Sequence, residues 1–219
     1  MILDLHNHSI KSDDGRAKVE NYCKWIAKRE LELDGFVLSE HRQYDSESDY
    51  RALEDEYGLL ILKASEVETE YGHVLLFGVN EDLENAFDFA DIRVPLEIVL
   101  RESKRCGAFA VPCHPSRPIV GMFSHFGELG PAPGVEVVET LNGGGRGTEN
   151  VDAVQLADQY GYRGIGGSDA HIVSHIGRCV TIFENKIDSI EGLVSALAGD
   201  RYRASSPELS DDALTPASA

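Results

Sequence analysis

Short apolar runs punctuate this chain of 219 residues at positions 2–5, 35–38, 59–62, 74–79, 108–112, 135–141 and 164–167, with amphipathic stretches between several of them. Aliphatic runs of this length, bounded by polar and Gly-rich segments, read as buried strands. Helical periodicity is clearest over 19–31, 95–106 and 149–160, and Gly107 and Gly161 follow the last two, where a helix needs a left-handed residue to end. A closing helix is expected over 187–198. About seven strand-then-helix units predict an α/β fold with a parallel sheet, either doubly wound or closed into a barrel, and periodicity alone does not choose between them.

Hydrophobic residues make up 42% and charged residues 26%, which suits a single globular domain over 1–204; the remainder, 205–219, is rich in Ser, Pro, Ala and Asp and reads as a disordered tail. Asp and Glu number 38 against 20 Lys and Arg, a net charge of −18. Such a field repels polyanions, so bulk nucleic-acid binding is not expected. The four cysteines, Cys23, Cys106, Cys113 and Cys179, are isolated singletons without a C-x-x-C pair and read as reduced core residues. Met1 leads directly into the first apolar run, with no basic leader and no span-length apolar segment, so a cytoplasmic protein without membrane contact is expected.

Polar residues fall where the strands end. The first run closes as Asp4-Leu5-His6-Asn7-His8, and alternation places Asp4, His6 and His8 on one face. The second ends Ser39-Glu40-His41, the third reaches Glu66, the fourth begins at His73, and the fifth ends Pro112-Cys113-His114-Pro115. The seventh passes through Gly166-Gly167-Ser168 to Asp169-Ala170-His171, a second alternate-residue pair. Each alone has an ordinary reading: a core H-x-H pair, a capping His41, a structural His before proline. Glu68 and Glu70 read as solvated. Together, six of the eight histidines occupy such ends, with Glu66, Asp169 and the Asp13-Asp14 pair beside them. Imidazoles and carboxylates without cysteine suit zinc, manganese or iron, and nine such positions fit two or three ions sharing a bridging carboxylate. The Gly- and Pro-rich segment 115–134 is expected to be a long loop over the site.

This ordered set resembles the PHP superfamily, the polymerase and histidinol phosphatase domain, across about residues 1–204. His6-Asn7-His8 looks like its first motif. Ser39-Glu40-His41 looks like its second, commonly Thr-Asp-His, from which Glu40 departs conservatively. His114-Pro115 and Ser168-Asp169-Ala170-His171 resemble the third and fourth, and Glu66 and His73 match the intervening bridging Glu and His. The resemblance implies a single distorted (β/α)7 TIM-like barrel with a metal centre at the strand C-termini. It implies that His6, His8, Glu66 and Asp169 hold one ion, that Glu66, His73 and His114 hold a second, and that an Asp before Gly, with His41 and His171, holds a third. The family's Ser-Asp-Gly reads here Ser12-Asp13-Asp14-Gly15, so adjacency to Gly15 favours Asp14 and Asp13 remains the alternative.

The resemblance implies a metal-dependent phosphoesterase acting on a small phosphorylated substrate, a phosphate monoester or nucleotide, through a metal-activated hydroxide. Charge on the leaving oxygen then falls to Arg117, His175 and Arg178, while Arg42, Arg117 and Arg178 are expected to meet the phosphate. His125 is either a substrate contact or packed between aromatics. The run Asn142-Gly143-Gly144-Gly145-Arg146-Gly147 lacks a nucleotide-binding pattern and reads as a flexible loop from which Asn142 and Arg146 could overhang the site. Two other classes remain open: amidohydrolase-type hydrolysis of a C–N or ester bond, and a metal-stabilised accessory subunit of nucleic-acid processing.

Overall fold

The structure is a computed structural model that describes residues 1–206. Three parallel strands form its centre: β1 (Ile2–Asn7), β2 (Gly35–His41) and β3 (Leu60–Thr69). The strand β4 (Gly72–Phe77) returns antiparallel to β3, and β5 (Phe109–Pro112) pairs antiparallel with β4. A second ladder joins β6 (Val137–Asn142) and β7 (Arg163–Gly167) in parallel. Two antiparallel strands, β8 (Val180–Phe183) and β9 (Tyr202–Ser205), extend the large sheet beyond β1, giving the order β5-β4-β3-β2-β1-β8-β9. The sheet curls, because β6 lies against β5 while β7 lies against β1, where a bridge pairs Asn7 with Ala170.

The fold is therefore α/β with a curled sheet, and the expected regular repetition of seven parallel β/α units is not what forms. Between β3 and β4 stand only Glu70 and Tyr71, a connection that makes a hairpin, whereas a parallel return needs a crossover of a dozen or more residues. The strands β8 and β9, four residues each, went unread.

The helices are α1 (Val19–Arg29), α2 (Arg51–Tyr57), α3 (Glu81–Glu84), α4 (Leu96–Arg105), α5 (Phe126–Leu129), α6 (Glu149–Tyr160) and α7 (Ile190–Ala198). Gly161 ends α6 at φ 73°, and Gly107 follows α4 at φ 74°, the left-handed positions anticipated for both. Segment 115–134 is less open than expected, holding a 3-10 turn (Met122–His125) and α5. Of the anticipated tail, Ser205 closes β9 and the Ser206 hydroxyl donates to the Arg178 carbonyl at 3.0 Å; positions 207–219 lie outside the described residues. No described helix is long and apolar enough to cross a membrane.

One apolar cluster draws Leu3 and Leu5, Val37, Ala64, Leu75, Val111, Val137 and Ile165 from β1 to β7, with Leu193 and Leu197 of α7. A separate cluster seats α1, through Tyr22, Cys23 and Ile26, on Phe36 and Leu38 of β2. The Tyr22 hydroxyl donates to the carbonyls of His8 (2.9 Å) and Ala170 (2.7 Å), tying α1 to the two chain segments that carry four of the histidine and aspartate positions named above.

Candidate metal centre

Side chains two residues apart on a strand share a face, so the inward apolar layer fixes what stands next to it. From Ala64 the step leads to Glu66, from Val111 to Cys113, from Val137 to Glu139, and from Leu75, on a strand running the other way, to His73. All four project into one cluster beside the core. The strand β1 is the exception, because its register shifts between Asp4 and Asn7. Asp4 consequently does not join His6 and His8 as alternation predicted. It accepts hydrogen bonds from Ser168 N (2.8 Å) and Gly177 N (2.8 Å) instead, and holds the segment leading to Asp169.

Glu66 stands at the centre, fully buried. Its Oε2 lies 2.8 Å from His6 Nε2, 3.1 Å from His8 Nε2 and 3.5 Å from His41 Nδ1. Its Oε1 lies 2.6 Å from His73 Nδ1 and 3.3 Å from His114 Nε2. Asp169 Oδ1 sits 3.6 Å from His6 Nε2 and 3.4 Å from His8 Nε2. Asp14 Oδ2 meets His171 Nε2 at 3.0 Å and His41 Nε2 at 3.6 Å, whereas Asp13 turns away to Arg42 Nη2 at 2.7 Å. Of five non-glycine residues with left-handed φ, three stand at or next to the cluster: Arg42, His114 and Asp169, at 54°, 32° and 51°. Left-handed backbone at such residues costs on the order of 1 kcal/mol or more each and collects where a site dictates geometry.

The electrostatics follow from burial and crowding. Burial opposes charge on Glu66, but the imidazoles of His41 and His6 outweigh it and hold the carboxyl well below its ordinary range. Asp169 is depressed in the same way, burial being overcome by His6 and His8. Burial likewise opposes charge on His6 and His8, yet the surrounding carboxylates raise His6 well above its usual value and His8 to about 9. His114 is lowered, by burial first and then by the Arg117 cation. Burial pushes the Cys113 thiol well up, with Glu66 and Glu139 adding to it, so without a cation the thiol keeps its proton.

His6 Nε2 and His8 Nε2 face one another at 3.0 Å. With Glu66 Oε2 and Asp169 Oδ1 these donors are spaced 2.8 to 3.6 Å apart. Ligands held about 2.0–2.2 Å from one divalent ion stand about 3–3.5 Å from each other. The donor set therefore fits metal ions. Glu139, buried and absent from the sequence reading, supports it: Oε1 accepts from or donates to His6 Nδ1 at 3.0 Å according to protonation, and Oε2 accepts from His114 N at 2.8 Å. Period-two continuation from Val137 was the signal that would have found both it and, from Val111, Cys113.

Residues 147–201 match the family model described as PHP-associated. The matched segment is about a quarter of the chain. No curated protein matches it. Among solved structures, PsfC from Pseudomonas syringae PB-5123 superposes with a TM-score of 0.71 at 19% identity, covering 94% of this chain and 91% of that one. The lesion-specific endonuclease PfuEndoQ from Pyrococcus furiosus gives 0.65 at 14% identity, covering 93% of this chain and 58% of the endonuclease, so this chain spans just over half its length. A protein from Bifidobacterium adolescentis named as a metal-dependent phosphoesterase gives 0.57 at 14% identity, covering 90% and 95%. An amidohydrolase from Chromobacterium violaceum gives 0.62 at 17% identity, covering 96% and 99%. At these identities what is shared is the fold. The exclusion of nucleic acid drawn from net charge does not stand, because Endonuclease Q, with this fold, is seen with a 27-mer duplex carrying an abasic lesion at its active site. A net charge sums the whole surface, whereas bound cations and nearby arginines set the field at a site.

Around this cluster the arginines divide. Arg117 reaches it, donating from Nη1 to Asp169 Oδ2 and from Nη2 to Asn142 Oδ1, both at 2.9 Å. Asn142 in turn donates to Glu139 Oε2 at 2.7 Å. The glycine run after it is not a loose loop: a Cβ at Gly144 would stand 3.1 Å from Arg117 Nη2, and one at Gly143 would stand 2.8 Å from the Ser168 carbonyl. Arg178, whose guanidinium has no ion pair among the described residues, lies near half-buried His175, which burial and the Arg178 and His171 charges lower. Arg42 is engaged elsewhere, donating to Asp13 and to Glu68 at 2.7 Å each, so Glu68 is not simply solvated. Nor is Glu70, which accepts from Leu96 N at the start of α4 (2.8 Å). His125 Nε2 donates to the Ile119 carbonyl at 2.7 Å, and Arg146 is exposed, its N–H bound to Glu149.

Proposed function

We propose that this PHP-type chain is a metal-dependent phosphoesterase. The observation that carries the reading is Glu66, whose two oxygens face two separate sets of imidazoles, the arrangement of a carboxylate shared between ions. His6, His8, Asp169 and Glu66 would hold one divalent ion, Glu66, His73 and His114 a second, and Asp14, His41 and His171 a third. Such ions supply an activated water at neutral pH and neutralise phosphate oxygens.

The chain's own groups do the rest. Asp169 and Asn142 fix the Arg117 guanidinium beside the cluster, leaving its remaining N–H groups to orient a phosphate oxygen. Arg178, without an ion pair among the described residues, stabilises charge on the leaving oxygen. His175 is neutral near pH 7 because its pKa is lowered, which suits it to accept a proton more than to give one.

Phosphate release from an aryl phosphate, nucleotides, histidinol phosphate and a duplex with an abasic site, measured on protein of known metal content, tests the proposal. Turnover that falls at least about 100-fold in Asp169→Asn and in Arg178→Ala with metal retained in the latter supports it. A second reading, hydrolysis of a C–N bond, is favoured by the amidohydrolase that shares this fold over nearly its whole length. Turnover of amides with inertness toward every phosphoester would put that reading first.

A further inference from the structure

We propose that Cys113 is a sulfur donor to the Glu66–His114 half of the cluster, and that this half consequently selects a thiophilic divalent cation such as zinc over an oxygen-seeking one such as manganese. The inference rests on the metal-centre reading above. Cys113 Sγ lies 3.4 Å from His114 Nε2 and 3.5 Å from Glu66 Oε1, and those two atoms are 3.3 Å apart. A tetrahedral cation bound to sulfur at about 2.3 Å and to nitrogen and oxygen at about 2.0–2.2 Å sets ligand-to-ligand edges of about 3.3–3.6 Å. The three atoms already have the dimensions of one coordination face.

The surroundings of the sulfur are those of a ligand. Cys113 is fully buried at the edge of the apolar cluster, where Glu66 and His114, and also His6 and Glu139, stand close enough to share an ion with it. His114 is 5% exposed, and with its Nδ1 lacking a hydrogen-bond partner the ring's polar contacts are those of Nε2 to Glu66 and Cys113. Cation uptake replaces the thiol proton with the ion, and the proton leaves to solvent. Soft sulfur then shifts preference toward zinc, cadmium or cobalt.

The test is the optical spectrum of the full chain stripped of metal and reloaded with Co²⁺. The wild-type chain is expected to show a near-ultraviolet sulfur-to-cobalt charge-transfer band together with visible d–d bands. Cys113→Ser is expected to lose the first and keep the second, and Cys106→Ser, which removes the one half-exposed thiol, to keep both. Cys113→Ser should weaken zinc binding by about tenfold or more, with manganese changed much less. Wild-type protein that holds cobalt without the near-ultraviolet band overturns the role of Cys113 and leaves the metal centre standing; protein that takes up no cobalt overturns both. Zinc-edge X-ray absorption of the wild type needs no variant to fold: a sulfur shell at about 2.3 Å supports the proposal, and scatterers at about 2.0–2.1 Å alone contradict it.

Discussion

Glu66 gives one oxygen to His6, His8 and His41 and the other to His73 and His114, so five imidazoles depend on a single carboxylate. Glu66→Gln keeps the shape and removes the charge. Bound metal per chain, read by elemental analysis, should drop by at least one ion, and turnover should drop about 100-fold or more. Glu139 touches the cluster through His6 Nδ1 and the His114 backbone, so Glu139→Gln should weaken metal binding about 10–100-fold in an equilibrium titration while one ion per site still binds at saturation. Asp4 carries a pH signature. Burial raises its carboxyl from 3.8 to about 6 against the pull of the Ser168 and Gly177 N–H groups. The folded chain therefore holds this proton more tightly than the unfolded one. Its contribution is full below the unfolded value of 3.8 and is lost as pH rises through about 6, a change of about 3 kcal/mol at about 1.4 kcal/mol per unit. Urea unfolding of metal-free protein should show that falling slope between those pH values, and Asp4→Asn should flatten it.

The β3–β4 hairpin is the element that most decides where a ligand stands. It brings His73 back onto Glu66 of its own partner strand, and it docks on the long loop through the His73 N–H, which donates to the Val120 carbonyl at 3.0 Å. The contact needs Gly72, at φ 102°, because a Cβ there would stand 2.1 Å from the Val120 oxygen. Gly72→Ala should cost about 2 kcal/mol or more, seen as a lower Tm, and should also weaken metal binding, since the loop and His73 must move apart. Ser189→Ala is the contrasting case. Its hydroxyl caps α7 by accepting from Gly192 N at 3.1 Å, far from the cluster. About 1 kcal/mol of stability should be lost with metal content unchanged.

For the whole molecule, Glu66, Asp169, Glu139 and Asp14 are crowded with six imidazoles, donors that a bound cation would hold together. Cation binding and folding are therefore coupled. Chelation should lower Tm, and zinc at about 100 times its dissociation constant should return about 2.7 kcal/mol. A chain with a net charge of −18 should also gain metal-free stability on adding salt, through screened self-repulsion.

Residues whose role depends on local chemistry were legible before folding was considered. The histidines at strand ends, Glu66, Asp169 and the glycines closing α4 and α6 announce themselves because periodicity and turn chemistry act over a few residues. What acts across the sheet was not legible. Arg42 pairs with Asp13, while His171 and His41 meet Asp14, an arrangement no local pattern announced. The hydrogen bonds of Arg42 to Asp13 and Glu68 were hidden for the same reason. The antiparallel return of β4 was hidden in a two-residue connection, and the turn of Asp4 away from His6 in one register shift of β1. Sequence by itself determined which donors this chain owns and that they end up at strand ends, because alternation and propensity are local. Tertiary structure alone decided which of them meet, because a pairing between side chains distant in sequence is fixed by strand register and curl, and neither is written in any single segment.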